Sequence, residues 1–381
     1  MDTATWEAAG LYRPDAPGAD QRLALLEYLA ARGATLAQLV EAHRMGSLPA
    51  VAGDLVMGTE SATLSVEEVS ARCGVPVERV QRVLLAAGLP LAADTRLPEG
   101  LDVLMLAFEQ GVALMGEDAL FAFVRVLGAA ATNIAEAAVA LFYAELGPGT
   151  GREGSDELER ARMAETATVA FSTVPEVLSR VLVAQFHRSS RRAVLARGWS
   201  APTGADEGTD PAGPSEVVAL GFVDLVGSTA WAEGLSLREQ SLALSRFESA
   251  AWVSAVLAGG RVVKMIGDEA FFSAPSADAA CRIGTEVLRA VAVDPLLPPA
   301  RGAVGFGLAT PREGDYFGPL VNLVSRLVKV AAPGALVVTE EAAAALPTDR
   351  WVLQELEPQR LRGLEHPVRV FGVAASSPPM E

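Results

Sequence analysis

The hydrophobic period changes once along this 381-residue chain, and that change fixes its organisation. Before residue 200, apolar residues recur at three and four positions, as in Leu23, Leu26, Leu29 and Ala30, and again in Val80, Val83, Leu84 and Ala87. This spacing predicts amphipathic helices. After residue 215 the texture becomes short apolar runs at 217–223, 261–266, 270–272, 303–308 and 335–339, which read as strands. Helical patterns alternate with them at 229–258, 276–292 and 318–331. Between the two textures, 200–215 is dominated by Gly, Pro, Ser, Thr and Asp with no apolar period, the composition of a linker. A shorter break at 147–156 reads as a loop between helices. The expected layout is an all-helical domain at 1–199, a linker at 200–215, an α+β domain at 216–374 and a tail at 375–381. Strand–helix–hairpin–helix–strand–helix–strand predicts helices on one face of a mostly antiparallel sheet.

Acidic side chains outnumber basic ones by 47 to 31, giving a formal charge of −16. Nonspecific nucleic-acid binding and a basic membrane-surface role both need clustered positive charge, so both are disfavoured. A nucleotide substrate stays possible, because bound metal ions can supply the charge a triphosphate needs. The two cysteines, Cys73 and Cys281, are too few and too distant for a disulfide framework or a paired-cysteine zinc site, and read as buried small hydrophobes in a reducing compartment. The N-terminal residues lack the basic and apolar regions of a secretory signal, so a cytoplasmic location is expected. The most apolar stretch, 120–146, is interrupted by Arg125, Asn133 and Glu136, and reads as a buried helix rather than a membrane span.

Three polar blocks sit where strands of the second domain meet turns or helices. In Gly221-Phe-Val-Asp-Leu-Val-Gly-Ser-Thr229 an apolar strand ends in Asp224 and a Gly-Ser-Thr turn opens a helix. A strand-end carboxylate beside free helix amides suits a metal-bound phosphate, with the Gly227, Ser228 and Thr229 segment taking phosphate oxygens; the plainer alternative is a turn residue and an N-cap. The second block, 262–272, reads as a hairpin turning at Gly267-Asp268, with Lys264 interrupting an apolar strand. Carboxylates from two adjacent strand ends can hold two divalent cations suited to displacement at phosphorus. The third block, 314–326, places Asn322 and Arg326 four apart on one face of a helix, within an apolar run.

Together the blocks resemble the catalytic domain of the class III nucleotidyl cyclases, over about residues 215–373. The resemblance implies a ferredoxin-like fold, ATP as substrate and cyclic AMP as product, with guanylate cyclase activity as the alternative. Residue by residue, it makes Asp224 and Asp268 the metal-binding carboxylates for two divalent cations, Mg2+ or Mn2+. Lys264 and Asp315 become the pair that reads the purine, and Asn322 and Arg326 the pair that stabilises the transition state. Removing either carboxylate is then expected to abolish turnover without unfolding the chain. The resemblance also implies a homodimer with two composite sites, since metal ligands and purine readers come from opposite partners. The segment Ala309–Gly314 is shorter than the arm many members carry, which points to the short-arm bacterial subgroup. A basic residue for phosphate aligns loosely with Arg362. The run Gly267-Asp-Glu-Ala-Phe271 echoes the diguanylate cyclases, but Ala270 interrupts that signature and Asn322 and Arg326 would go unexplained.

In the first domain, residues 64–89 have the pattern of a helix-turn-helix, with Ser65 as cap, Gly74 at the turn and Pro76 opening the second helix. Its second helix offers Arg79 and Arg82 amid Glu67, Glu68 and Glu78, too little positive charge for phosphate contacts, so packing or dimerisation is favoured over a DNA-binding regulator. The layout is similar to soluble bacterial cyclases whose helical N-terminal domain inhibits the catalytic one, in some under control of pH. Residues 185–193 are the expected transmission segment, with His187 and, more weakly, His43 as pH-sensing candidates. The apolar helices of 101–146 offer a place for a small-molecule or lipid effector, or else a dimer core.

Overall fold

The computed structural model describes residues 1–57, 62–91, 96–146, 156–197 and 215–376. Chain contacts divide it into two compact units, Met1–Gln185 and Phe186–Glu381. That boundary falls inside a helix. The expected loop at 147–156 and linker at 200–215 lie, save for their last residues, outside the described residues.

The first unit carries helices α1 (Thr3–Ala8), α2 (Ala19–Ala31), α3 (Leu36–Arg44), α4 (Val51–Met57), α5 (Val66–Cys73), α6 (Val77–Ala86), α7 (Leu101–Met115), α8 (Glu117–Leu146), α9 (Glu157–Phe171) and the first half of α10 (Val174–Arg197). A minimal ribbon pairs β1 (Ala62–Leu64) with β2 (Leu97–Pro98). Leu25, Leu26, Leu29, Leu39 and Trp6 form one core, and Val69, Val80, Val83, Leu84, Met105 and Phe108 a second. The helix-turn-helix expectation is realised in α5 and α6: Ser65 and Glu68 make a reciprocal capping box, and Gly74 closes α5 at φ 71°. Arg79 pairs with Glu109 and Glu117, and Arg82 with Glu117 at 3.1 Å, so both arginines are spent inside the unit.

The expectation that 120–146 forms a buried helix is not met. Helices α6 and α7 cover α8 as far as Gly128, where a Cβ would stand 2.3 Å from the carbonyl of Ala87. Leu120 and Val124 are buried, whereas Phe123 and Leu127 face away from these neighbours and Val139 and Leu141 lie beyond them, all four exposed. Glu117–Leu141 and Glu157–Val194 each hold an 18-residue stretch, of mean hydropathy 1.4 and 1.3, apolar enough to cross a membrane, which is weak evidence for either. Cys281 is buried, its thiol pushed up to about 12 by desolvation, but Cys73 is half-buried with Sγ on the Val69 carbonyl.

The second unit is α+β. Its elements run β3 (Glu216–Leu225), α11 (Ser228–Glu233), α12 (Leu237–Leu257), β4 (Arg261–Ile266), β5 (Glu269–Ala274), α13 (Ala277–Val293), β6 (Ala300–Arg312), β7 (Asp315–Phe317), α14 (Pro319–Leu327), β8 (Leu336–Thr339), α15 (Glu340–Ala344), β9 (Trp351–Glu355) and β10 (Val370–Ala375). The sheet order is β4-β5-β3-β6-β8-β10-β9, antiparallel except for β6 with β8. Period-two alternation sends Ala219, Val223 and Leu225 to a core with α12 and α13, and Val218, Leu220 and Phe222 to a second core with α14. Helices therefore cover both faces, a correction to the expected one-sided arrangement. The amphipathic pattern of α14 specifies a buried stripe (Leu320, Val324, Leu327) but not which face of the sheet receives it. Gly221 permits the tight packing of β3: a Cβ there would lie 2.2 Å from the ring of Phe272.

Candidate active site

The alternation that builds the two cores also aims the charges. Asp224 follows Leu220 and Phe222 on the face of β3 covered by α14, and is 3% exposed. Across the ladder Asp224 stands opposite Arg301 of β6 and Glu269 of β5. Arg301 donates from Nε and Nη2 to Oδ2 of Asp224 at 2.9 and 2.8 Å. Lys329, in the turn after α14, donates to Oδ1 of Asp224 and to Oε2 of Glu269, both at 2.6 Å. Burial pulls the Lys329 ammonium down, but its bonds to the two carboxylates outweigh this and hold it above an ordinary lysine. Burial likewise raises Glu269, against the pull of Lys329.

Asp268 lies beside Asp224 through the backbone, because its carbonyl accepts from the Leu225 amide at 3.1 Å. It occupies the tight turn between β4 and β5, where Gly267 adopts φ 62°. Directly after β3 the chain turns at Gly227 (φ 68°), which caps α11 without a side-chain bond; Ser228 and Thr229 form its first turn, so neither is the N-cap. The Val226 amide is tied to the Pro299 carbonyl at 2.7 Å, fixing this turn against the start of β6.

Lys264 and Asp315 form an ion pair, with side chains 48% and 23% exposed, accessible enough for a ligand to reach. The Lys264 ammonium also lies 5.9 Å from the Phe271 ring, which stacks on Phe222 at 4.4 Å. Asp315 is delivered by the short β6–β7 hairpin, whose tip is Glu313 and Gly314. Arg261 holds that tip, donating to the Gly314 carbonyl at 2.9 Å with its guanidinium over the Tyr316 ring. The Asp315 carboxylate accepts from the Tyr316 amide at 2.7 Å, which sets its rotamer.

Helix α14 buries Leu320, Val324 and Leu327, leaving Asn322 exposed and Arg326 half-buried on its other side. The Arg326 guanidinium lies against the turn at Gly363, where a Cβ would come 3.3 Å from Nη1. Arg362 beside it is exposed. The structure thus joins Lys264 to Asp315 and sets the backbone of Asp268 next to that of Leu225, beside Asp224, while Asn322 and Arg326 share no contact with these four among the described interactions. His187 and His43 are solvent-exposed and belong to different units; His43 Nδ1 lies 3.4 Å from Arg22 Nη1.

Arg301, Lys329 and Glu269 are the functional candidates that sequence reasoning missed. Arg301 carries a faint signal as a charge opening an otherwise apolar strand; Lys329 is a lone charge in the apolar run Leu327-Val-Lys-Val330, whose last three residues form a short 3-10 helix, and no spacing ties it to Asp224. Among the described residues no three His, Cys, Asp or Glu side chains converge as a metal-ligand set. The donors nevertheless suit a hard divalent cation: Asp224 and Glu269 offer anionic oxygens that already hold a cation between them, the Lys329 ammonium. Asp268 supplies a further carboxylate at the adjoining turn.

In the helical unit an apolar recess of about 520 Å3 lies among α4, α8, α9 and α10, lined by residues including Gly53, Ile134, Ala138, Phe171 and Leu178. Past the unit boundary, Arg188 of α10 donates to the carbonyls of Gly260 at 3.2 Å and Val256 at 3.4 Å, at the end of α12 and just before β4.

Residues 8–189 match the family model of the adenylate cyclase regulatory domain. The chain is similar to an uncharacterized protein of Mycobacterium tuberculosis, 29% identical over 373 residues, covering 97% of this chain and 94% of the relative. It is also similar to a pH-sensitive adenylate cyclase of Mycobacterium tuberculosis, 28% identical over 334 residues, 84% of this chain and 80% of that one. A solved adenylyl cyclase from P. aeruginosa aligns with 44% of this chain and 98% of its own, at 20% identity and a TM-score of 0.40. Over residues 8–189 the helical unit is thus similar to adenylate cyclase regulatory domains, and the chain as a whole is similar to a relative named as a pH-sensitive adenylate cyclase.

Proposed function

We propose that the chain converts ATP to 3′,5′-cyclic AMP and pyrophosphate at the composite sites of a homodimer, under control of its helical unit. The observation that carries this reading is the pairing of Lys264 with Asp315 in a half-exposed position. Adenine presents an N1 acceptor beside an N6 donor; Lys264 donates to the first and Asp315 accepts from the second. Guanine presents the reverse pattern and would leave both groups mismatched. Arg326 neutralises charge that builds on the α-phosphate, and Asn322 orients the ribose by a hydrogen bond to its ring. Gly227, Ser228 and Thr229 form the turn that receives triphosphate oxygens. Divalent cations, Mg2+ or Mn2+, held by Asp224 and Asp268, would lower the pKa of the ribose 3′-hydroxyl and neutralise the departing pyrophosphate.

In this reading residues 216–374 are catalytic and residues 1–199 dimerise and regulate, with 185–193 carrying the signal. The name of the pH-sensitive relative supports pH as that signal, and the apolar recess supports a lipid effector in the same unit. A cytoplasmic location fits a chain that consumes ATP. The test is product formation by the purified full-length chain with Mn2+ or Mg2+. Cyclic AMP is expected from ATP; no product above background overturns the enzyme reading, and cyclic GMP from GTP alone overturns the substrate.

A further inference from the structure

We propose that Lys329 occupies the cation position of the resting catalytic unit, and that a divalent ion loads at Asp224 by displacing its ammonium. The inference rests on the reading of Asp224 as a metal ligand. Both oxygens of this buried carboxylate are engaged, Oδ2 by Arg301 and Oδ1 by Lys329. Oδ1 has a second lone pair, but a divalent ion placed on it beside the ammonium would hold two cations within about 4 Å of each other at a buried carboxylate, and their repulsion favours exchange over sharing.

The two cationic partners are not equally fixed. Arg301 lays a planar fork on Oδ2, and its Nη1 also donates to the Lys329 carbonyl at 2.6 Å. It is held at three points and its side chain is 22% exposed. Lys329 reaches in on a flexible stem that is 50% exposed, so its ammonium is the group free to swing. Glu269 gives it a second anchor 2.6 Å away, so releasing Oδ1 does not strand the ammonium in a buried site. The backbone of residue 329 stays pinned by Arg301 while the side chain moves. Charge points the same way: Asp224 and Glu269 are balanced by Arg301 and Lys329 before any metal arrives, so a divalent ion adds unneutralised charge until Lys329 withdraws.

The experiment measures Mn2+ binding to the full-length chain without nucleotide, by electron paramagnetic resonance of free Mn2+, for wild type, Lys329→Met, Lys329→Arg and Asp224→Asn. Lys329→Met is expected to bind Mn2+ at least fivefold more tightly than wild type, and Lys329→Arg no more tightly. In parallel, acetylation of the Lys329 amine by a limiting acylating reagent, followed by peptide mass spectrometry, is expected to rise severalfold when Mn2+ is added to wild type. Unchanged or weaker Mn2+ binding in Lys329→Met, with binding still lost in Asp224→Asn, overturns the displacement while leaving the metal assignment standing. Equal Mn2+ binding by wild type and Asp224→Asn overturns the metal assignment itself. If Lys329→Met is poorly folded, acetylation of the wild-type chain decides: no rise with Mn2+ overturns the proposal.

Discussion

Asp224 and Arg301 face each other across the β3–β6 ladder, and the guanidinium places both Nε and Nη2 within 2.9 Å of a single carboxylate oxygen. The pair gives Asp224, the metal ligand of the proposed function, a second task, because it neutralises an arginine in a mostly covered position. The expectation that removing Asp224 leaves the fold untouched is therefore revised. Asp224→Asn should abolish turnover and also destabilise the catalytic unit by about 3 kcal/mol, the scale for breaking a buried ion pair from one side. That corresponds to a fall in melting temperature of roughly 6–12 °C for a unit of this size. Asp268→Asn, on a half-exposed turn, should lose activity with a melting temperature within about 2 °C of wild type, a difference of well under 1 kcal/mol. Differential scanning calorimetry of the two variants checks the contrast, and equal melting temperatures would remove the structural role of Asp224.

Lys264 and Asp315 are a half-exposed pair, so their loss should be silent in stability and visible in selectivity. Lys264→Ala should lower kcat/KM for ATP by about 10- to 100-fold, the cost of leaving one hydrogen-bonding group unmatched. Lys264→Glu should reduce the preference for ATP over GTP further, because a carboxylate opposite adenine N1 is repelled. Competition kinetics with both nucleotides measure the ratio, and an unchanged ratio in Lys264→Glu takes the pair out of purine recognition.

Asp224, Lys264, Asn322 and Arg326 stood out because each ends or interrupts an apolar run, where packing gains nothing from a polar group, whereas Asp268 lies in a polar turn and Asp315 was marked by the resemblance to the nucleotidyl cyclases. Arg301, Glu269 and Lys329 did not stand out, and the reason is geometric. Asp224 meets Arg301 across 77 residues and Lys329 across 105, through a strand register and a turn that no local spacing encodes. The strand β9, Trp-Val-Leu-Gln-Glu at the sheet edge, escaped notice because an edge strand with one wet face carries half the apolar signal. The exposure of α8 was hidden for the opposite reason: its composition is that of a core helix, and composition does not state where neighbouring helices stop.

Glu165 of α9 accepts from Arg32 Nε, at the C-cap of α2, at 2.9 Å and from the Tyr28 hydroxyl on that helix, and Arg32 chiefly holds its carboxyl below the ordinary value. A carboxylate depressed on folding contributes stability that is complete above the usual carboxylate range and is lost as pH falls through its folded value. Glu165→Gln should therefore lower the unfolding midpoint of the helical unit at pH 7, and the gap from wild type should narrow as the pH is brought down towards about 3, because the folded carboxyl takes up its proton below the ordinary range. Urea titrations at the two pH values measure it. A gap that persists at low pH would assign the effect to packing rather than charge.

In the proposed function the segment 185–193 carries the signal, and Arg188 is a residue of that segment bonded to the catalytic unit. Its guanidinium caps carbonyls at the end of α12, where the helix dipole is negative, and holds Gly260, four residues before Lys264. On that reading a shift of this helix end would be passed to β4, which carries Lys264, while residues of the regulatory unit precede it on the same helix. Two variants separate this route from the alternatives. A chain beginning near Ser200 loses the regulatory unit and the Arg188 contact together, and its activity is expected to rise with a flattened pH–rate profile. Arg188→Ala in the full chain loses the contact alone; if the route is right it should move activity in the same direction by about two- to fivefold, since one to two hydrogen bonds to carbonyls carry roughly 1 kcal/mol. Kinetics of both across pH 5.5–8 decide the matter. A truncation that changes the profile beside an Arg188→Ala chain identical to wild type would place the signal elsewhere on the helix, and a truncation with an unchanged profile would remove pH control from the helical unit.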